Sequence, residues 1–172
     1  LCREALAWRQ LRHPCIVPFL GLYQDCDLRS SVCMISPCMR GGNLSTHAER
    51  ERERLHLLPV IRDILEGLCY LHGQHYVHGD LRAVNILLDE NGRAYISDFG
   101  LISLLDQIHD KSTKGRGNPR WTAPELFESD FKRTFSTDMY SFGCLCLEII
   151  TLKPPFYEIP RDCSVIACLL KG

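Results

Sequence analysis

The amino-acid sequence predicts an α+β fold, and three observations predict it. Apolar residues recur at helical spacing in two long stretches, near 57–71 and 136–151. Short runs rich in β-formers lie elsewhere, at 16–23, 31–36, 86–88 and 94–97. Between these stretches stand turn-forming clusters, Arg40-Gly41-Gly42-Asn43 and Asp89-Glu90-Asn91-Gly92.

The elements follow in order. Residues 3–12 read as a helix that His13-Pro14 ends, because proline cannot continue it. The runs at 16–23 and 31–36, rich in Val, Ile, Leu and Phe, read as a two-strand region. Arg40 to Asn43 is a turn or linker. Glu and Arg alternate over Glu49–Arg54, and the pairs Glu49/Arg52 and Glu51/Arg54 suit a solvated helix face with no assigned function. Leu57, Ile61, Ile64, Leu65, Leu68 and Leu71 form one stripe of a long, half-buried helix. Pro59 falls near its first turn, where proline is tolerated. Ile86–Leu88 and Ala94–Ser97 are two strands of a hairpin. The helix over 136–151 is apolar on most sides (Met139, Phe142, Leu145, Leu147, Ile149, Ile150), so burial is expected. A last helix begins near Asp162.

Composition narrows the function classes. The chain has 172 residues, enough for one domain with a core. No stretch approaches the roughly 18 uninterrupted apolar residues of a membrane span, and no basic-then-apolar signal peptide opens the chain. A net charge of −1 gives no sign of a nucleic-acid or membrane-surface binder. The ten cysteines are scattered without a C-x-x-C pair. Cys69, Cys144 and Cys146 fall in apolar helical patterns and read as small hydrophobes. The expectation is reduced thiols in an intracellular, cytoplasmic protein.

The chemistry concentrates in one ordered set. His78-Gly79-Asp80-Leu81-Arg82-Ala83-Val84-Asn85 is followed by Asp98-Phe99-Gly100 and then by Ala123-Pro124-Glu125. A carboxylate such as Asp80 can take the proton of an attacking hydroxyl. Asn85 and Asp98 are hard oxygen ligands of the kind magnesium takes, a few at a time. The hairpin between them brings the two together. Gly100 permits the backbone dihedrals that a switching triplet needs. Each aspartate alone would read as an ordinary turn residue; the ordered set does not. His72, His75 and His78 repeat every three residues, but the later two fall past the helix, so no metal is assigned to them.

These motifs resemble the catalytic loop, the metal-binding triplet and the activation-segment end of a eukaryotic protein kinase, of the tyrosine-kinase-like group. The resemblance covers essentially the whole chain. It implies a two-lobed, protein-kinase-like fold with a truncated small lobe (1–35), a hinge (36–42) and a mainly helical large lobe (43–172). It also implies ATP and Mg2+ as cofactors and a protein as substrate. Asp80 would be the base, Arg82 would help hold the γ-phosphate, and Asn85 and Asp98 would hold metal. Glu4 takes the place of the glutamate that pairs with a strand lysine. Trp8, Phe19, His78 and Phe99 fall on the family's hydrophobic spine. Asp138 matches the helix aspartate that anchors the catalytic loop. Ser36 looks like the residue behind the adenine pocket. Pro37-Cys38-Met39 looks like the hinge, offering the Pro37 carbonyl and the Met39 N–H to adenine, with Leu87 as the floor. Cys38 reads as an ordinary thiol, since no cationic neighbour is visible in the sequence.

Four departures qualify the resemblance. No glycine-rich loop or strand lysine precedes Glu4, so the 172 residues are expected to be a partial domain that is unstable and weakly active by itself. Gly79 stands where the family usually has arginine, which points to less dependence on activation-segment phosphorylation; Ser112 and Thr113, beside Lys111, Lys114 and Arg116, are the candidate sites. Arg82-Ala83 and Trp121-Thr122-Ala123-Pro124-Glu125 look more like tyrosine kinases, although the group mostly modifies Ser and Thr. The arginine expected to pair with Glu125 is absent, which would leave a buried carboxylate unpaired. Two other readings stand beside the kinase: a pseudokinase-type binding scaffold, and a small-molecule phosphotransferase, against which the polypeptide shelf of Ala123-Pro124-Glu125 argues.

Overall fold

A computed structural model describes residues 2–24, 32–51, 55–99, 102–104, 118–128 and 132–171. Helix α1 (Cys2–Gln10) leads through an extended segment to the antiparallel hairpin β1 (Gly21–Gln24) and β2 (Val32–Ile35). Strand β3 (Gly42–Asn43) runs directly into α2 (Leu44–Arg50). The long α3 (Leu57–Gly73) precedes β4 (Tyr76–Val77). A 3-10 turn at Ala83–Asn85 opens into the hairpin β5 (Ile86–Leu88) and β6 (Ala94–Ile96). Strand β7 (Ser103–Leu104) pairs with β4. Two further 3-10 turns, Pro119–Trp121 and Pro124–Phe127, precede α4 (Phe135–Thr151) and α5 (Asp162–Leu169).

Local chemistry sets several of these boundaries. The Asn43 side chain accepts the Thr46 N–H at 3.0 Å and caps α2. Thr134 and Thr137 cap α4 reciprocally, each side-chain oxygen accepting the other's backbone N–H (3.0 and 3.3 Å). In the β5–β6 turn, Asp89 Oδ1 accepts the N–H groups of Asn91 and Arg93 at 2.8 and 2.9 Å. Gly92 then takes φ +78°, a backbone region that glycine enters without strain.

One core joins these pieces. The buried stripe of α3 (Val60, Ile64, Leu68, Leu71) packs with Ile86 and Leu88 of β5, Ile96 of β6 and Leu145 of α4. Each such side chain contributes roughly 1.5–3 kcal/mol. The segment after α1 is stitched to this core by a parallel bridge. Val17 N–H donates to Ile96 O at 3.0 Å, and Ile96 N–H donates to Cys15 O at 2.9 Å. A Cβ on Gly67 would come within 2.9 Å of the Cys15 carbonyl, so only glycine lets α3 approach this segment so closely.

Asp63 of α3 is 2% exposed. Its Oδ2 accepts the Ala94 N–H at 3.1 Å, and its Oδ1 lies 3.3 Å from Arg93 Nη2. Cys15 Sγ and a Glu66 oxygen lie close to Asp63, but the Arg93 guanidinium already supplies positive charge to this cluster. Asp63→Ala would leave the Ala94 N–H buried without an acceptor. Arg93 is half exposed, so water replaces part of its loss. The expected destabilisation is about 2–3 kcal/mol, read as a lowered urea midpoint.

Several expectations change. Gly42–Asn43 is a strand pairing with Leu87–Leu88, not a plain linker. Residues 44–50 form a helix that charge alternation alone did not outline. Arg52 and Arg54, and with them both expected pairs, lie outside the described residues. Helix α4 is not buried throughout: Met139, Leu147 and Ile150 are about half exposed, while Leu145 and Ile149 are buried. Cys69 is exposed rather than a core thiol, because it lies off the α3 stripe. Glu125 is half-buried rather than buried. The eight described cysteines are free thiols.

Candidate active site

The site hangs from one buried carboxylate. Asp138, in the first turn of α4, is fully buried. Its Oδ2 accepts the His78 N–H and its Oδ1 the Gly79 N–H, both at 2.9 Å. The imidazole of His72 donates to Oδ2, also at 2.9 Å, and stacks on Phe135. Charge-assisted bonds of this kind are about twice as strong as neutral ones. They hold the loop over 78–82 against α4. Gly79 sits at φ +80°, where a side chain would strain the backbone.

His78 sets the next layer. The Asp80 N–H donates to its Nδ1 at 3.2 Å, so the proton resides on Nε2, which donates to the Ser97 carbonyl at 2.9 Å. The Ser97 N–H and hydroxyl both donate to the Asn85 carbonyl, at 2.9 and 2.8 Å. The loop carrying Asp80 and Asn85 is thus fastened to the residue preceding Asp98. Asn85 Nδ2 donates to the Asp80 carboxylate (3.0 Å) and carbonyl (2.8 Å), which turns the amide oxygen away from Asp80. Arg82 Nε lies 3.5 Å from the same carboxylate. Asp98 is exposed, and its φ of +60° is unusual for a residue other than glycine.

Four rings pack in series beneath Asp98. Phe19 meets Trp8 at 5.3 Å, Trp8 meets Phe99 at 5.4 Å, and Phe99 meets His78 edge-on at 5.8 Å. The Trp8 indole N–H donates to Val17 O at 2.6 Å. The expected series of Trp8, Phe19, Phe99 and His78 is therefore contiguous. Glu4, on α1, is half-buried and near enough to Asp98 to feel its charge. Burial pushes the Glu4 carboxyl up, and Asp98 pushes it the same way.

Between the hairpin β1–β2 and β3 lies the segment Ser36-Pro37-Cys38-Met39. Ser36, Pro37, Met39 and Leu87 are half-buried; Met39 and Leu87 pack against the core, and Cys38 is exposed. Gly41 N–H donates to Leu88 O at 3.0 Å. A Cβ on Gly41 would come within 2.7 Å of Asp89 O, so this crossing demands glycine.

Other contributors carry no signal in a short motif. Glu148 of α4 accepts the Ala83 N–H at 2.9 Å and the Trp121 indole N–H at 2.8 Å. It thereby links the loop over 78–85 to the segment ending in Ala123-Pro124-Glu125. Burial pushes its carboxyl up, and these two bonds pull it back down. Arg133, just before α4, feels the charges of both Asp80 and Asp138, although burial foremost lowers its pKa. Arg120 binds a string of backbone carbonyls described below. Gly100, Ser112, Thr113, Lys111, Lys114 and Arg116 lie outside the described residues.

A carboxylate held beside an asparagine, with a second carboxylate at the end of a hairpin, is the arrangement of a protein kinase catalytic domain. The chain belongs to the protein tyrosine and serine/threonine kinase family, whose description matches residues 1–172. It is 35% identical to the serine/threonine-protein kinase TNNI3K of Mus musculus over 164 residues, 92% of this chain and 19% of that protein. It is 34% identical to the probable serine/threonine-protein kinase drkB of Dictyostelium discoideum, across 92% of this chain and 23% of that protein. It is 38% identical to the tyrosine-protein kinase csk-1 of Caenorhabditis elegans, across 100% of this chain and 32% of that protein. The chain spans about a fifth of the mouse relative's length. No helix among the described residues is long and apolar enough to cross a membrane.

Proposed function

We propose that the protein transfers the γ-phosphate of ATP to a serine or threonine hydroxyl of a protein, as a member of the tyrosine-kinase-like group acting inside the cell. The observation that carries this reading is the Asp80 carboxylate, oriented by Asn85, with Arg82 Nε 3.5 Å away, on a loop that Asp138 anchors. Asp80 takes the proton as the hydroxyl oxygen attacks phosphorus and the bond to ADP breaks. Arg82 steadies the transferred phosphoryl group. Residues 1–35 serve as the small-lobe part, 36–42 as the hinge and 43–172 as the large lobe. In the nucleotide site, Ser36 backs the adenine pocket, Pro37 offers its carbonyl, Met39 offers its N–H and Leu87 lies beneath the ring. Glu4 stands on the phosphate side, near Asp98.

The residues present suit magnesium. Asp98 is an exposed carboxylate, and the Asn85 amide presents its oxygen because its nitrogen is engaged by Asp80. These are hard oxygen donors, few in number, as magnesium prefers. Magnesium bound there would neutralise charge on the phosphates.

The test is transfer of labelled phosphate by the intact protein to a mixture of acceptor proteins, followed by phosphoamino-acid analysis. Phosphoserine and phosphothreonine are expected, with about a hundredfold loss in Asp98→Ala. Phosphotyrosine alone would overturn the acceptor preference. ATP binding without any transfer would favour the binding scaffold.

A further inference from the structure

Arg120 makes more hydrogen bonds than its place in the chain explains. It sits in the 3-10 turn Pro119–Trp121, next to the indole that Glu148 holds. Its side chain is only 12% exposed. Nη1 donates to Pro155 O at 3.0 Å and to Phe156 O at 2.8 Å. Nη2 donates to Ile159 O at 2.7 Å and to Pro160 O at 3.5 Å. Nε donates to Asp162 Oδ1 at 2.8 Å, in the first turn of α5. The five N–H groups of a guanidinium match these five bonds.

The recipient loop explains the demand. Residues 152–161 contain Pro154, Pro155 and Pro160, which lack an N–H. Leu152 and Phe156 both adopt φ +57°. A loop of this kind pairs few of its carbonyls with its own amides, although the Ile159 N–H does donate to Phe156 O at 2.9 Å, and buried carbonyls need donors. Arg120 supplies them from a segment more than 30 residues earlier in the chain. The loop's shape therefore depends on a side chain of the segment ending in Ala123-Pro124-Glu125. That segment is itself fastened to α4, because Ser141 Oγ donates to Trp121 O at 2.7 Å.

We propose that Arg120 is a positioning residue for the polypeptide acceptor: it locks the loop 152–161 and the start of α5 to the segment 118–127, so that together they form one rigid shelf for the acceptor chain. This deepens the kinase reading and rests on it. Arg120 does not touch the acceptor; its fork is consumed by the loop. Tyr157, about half exposed with Lys153 Nζ 4.0 Å over its ring, and Glu158 are the groups the loop presents outward. Lysine has three donors radiating from one point and cannot span this array.

The experiment compares the intact protein with Arg120→Met and Arg120→Lys. Binding of fluorescein-labelled casein is read by anisotropy, loop order by amide exchange over 155–165, and transfer kinetics with casein as acceptor. In Arg120→Met, casein binding is expected to weaken about tenfold and the casein KM to rise equally, while exchange accelerates. The ATP KM stays unchanged, and kcat stays within about threefold of the parent. Arg120→Lys recovers part of the casein affinity. Unchanged exchange overturns the proposal, as does unchanged casein binding with a loosened loop. Parallel loss of ATP and casein binding reduces Arg120 to a purely structural role and also overturns it. Failure of the unmutated protein to bind casein overturns the shelf. An unmutated protein that binds casein but transfers no phosphate overturns the kinase reading alone, and the binding data still decide Arg120.

Discussion

Asp138→Ala is expected to destabilise the fold by about 3–5 kcal/mol and to abolish measurable phosphate transfer. The carboxylate accepts three bonds at 2.9 Å, from the amides of His78 and Gly79 and from His72. Alanine removes every acceptor atom at a site with no access to water. Each buried donor left without a partner costs roughly 1–3 kcal/mol. The lost bonds are also those that hold Asp80 at its height above α4, so transfer falls further than stability alone requires. Two measurements check this: the urea midpoint, and amide exchange at His78 and Gly79. Slow exchange at both positions in the substituted protein would show that the loop is held by something else. Asp138→Asn is expected to be milder, since it retains one acceptor oxygen.

Asp80→Asn is expected to behave in the opposite way. The site is half open, and asparagine preserves volume and a hydrogen bond to Asn85. Stability should change by less than about 0.5 kcal/mol, as for most substitutions away from the core. The transfer rate should fall about 10²–10⁴-fold, because the proposed acceptor of the hydroxyl proton is gone. The ATP KM should stay near the parent's, since the proposed nucleotide contacts come from Met39, Pro37 and Leu87. A large rise in that KM, with kcat unchanged, would move Asp80 from proton acceptor to nucleotide binder.

Much of this site was legible in sequence because it is local in sequence. His78 to Asn85 is one short loop, and the hairpin between Asn85 and Asp98 could be drawn from its turn residues. Asp138 and the four-ring series were readable from the family resemblance, through fixed spacing. What escaped has a common cause. Arg120 and Glu148 act on partners 27 to 65 residues away, several of them backbone groups, which leave no trace in residue type. His72 was weighed as a metal ligand because its repeat with His75 and His78 was visible and its partner Asp138 was not. Helix α4 misled in another way. A helix apolar on most sides reads as buried, yet Met139, Leu147 and Ile150 are about half exposed. Hydrophobicity around a helix says which faces could be covered, not which ones are. The short α2 escaped because Asn43, which caps it, reads in sequence as the end of a turn, and the Glu-Arg alternation begins only at the helix's last residues.

Asp98 holds a left-handed backbone that a non-glycine residue enters only at a cost of about 1–2 kcal/mol. Its neighbour Phe99 is wedged, 1% exposed, between Trp8 and His78. The aromatic wedge therefore works as a latch on a loaded spring. While the rings stay engaged, the strained backbone at Asp98 is held through its buried neighbour. Loss of the Trp8 ring would take away one of the two aromatic walls on Phe99 and so loosen the hold on the backbone at Asp98. Helix α1, which carries Trp8, is thereby tied through packed rings to the backbone of Asp98.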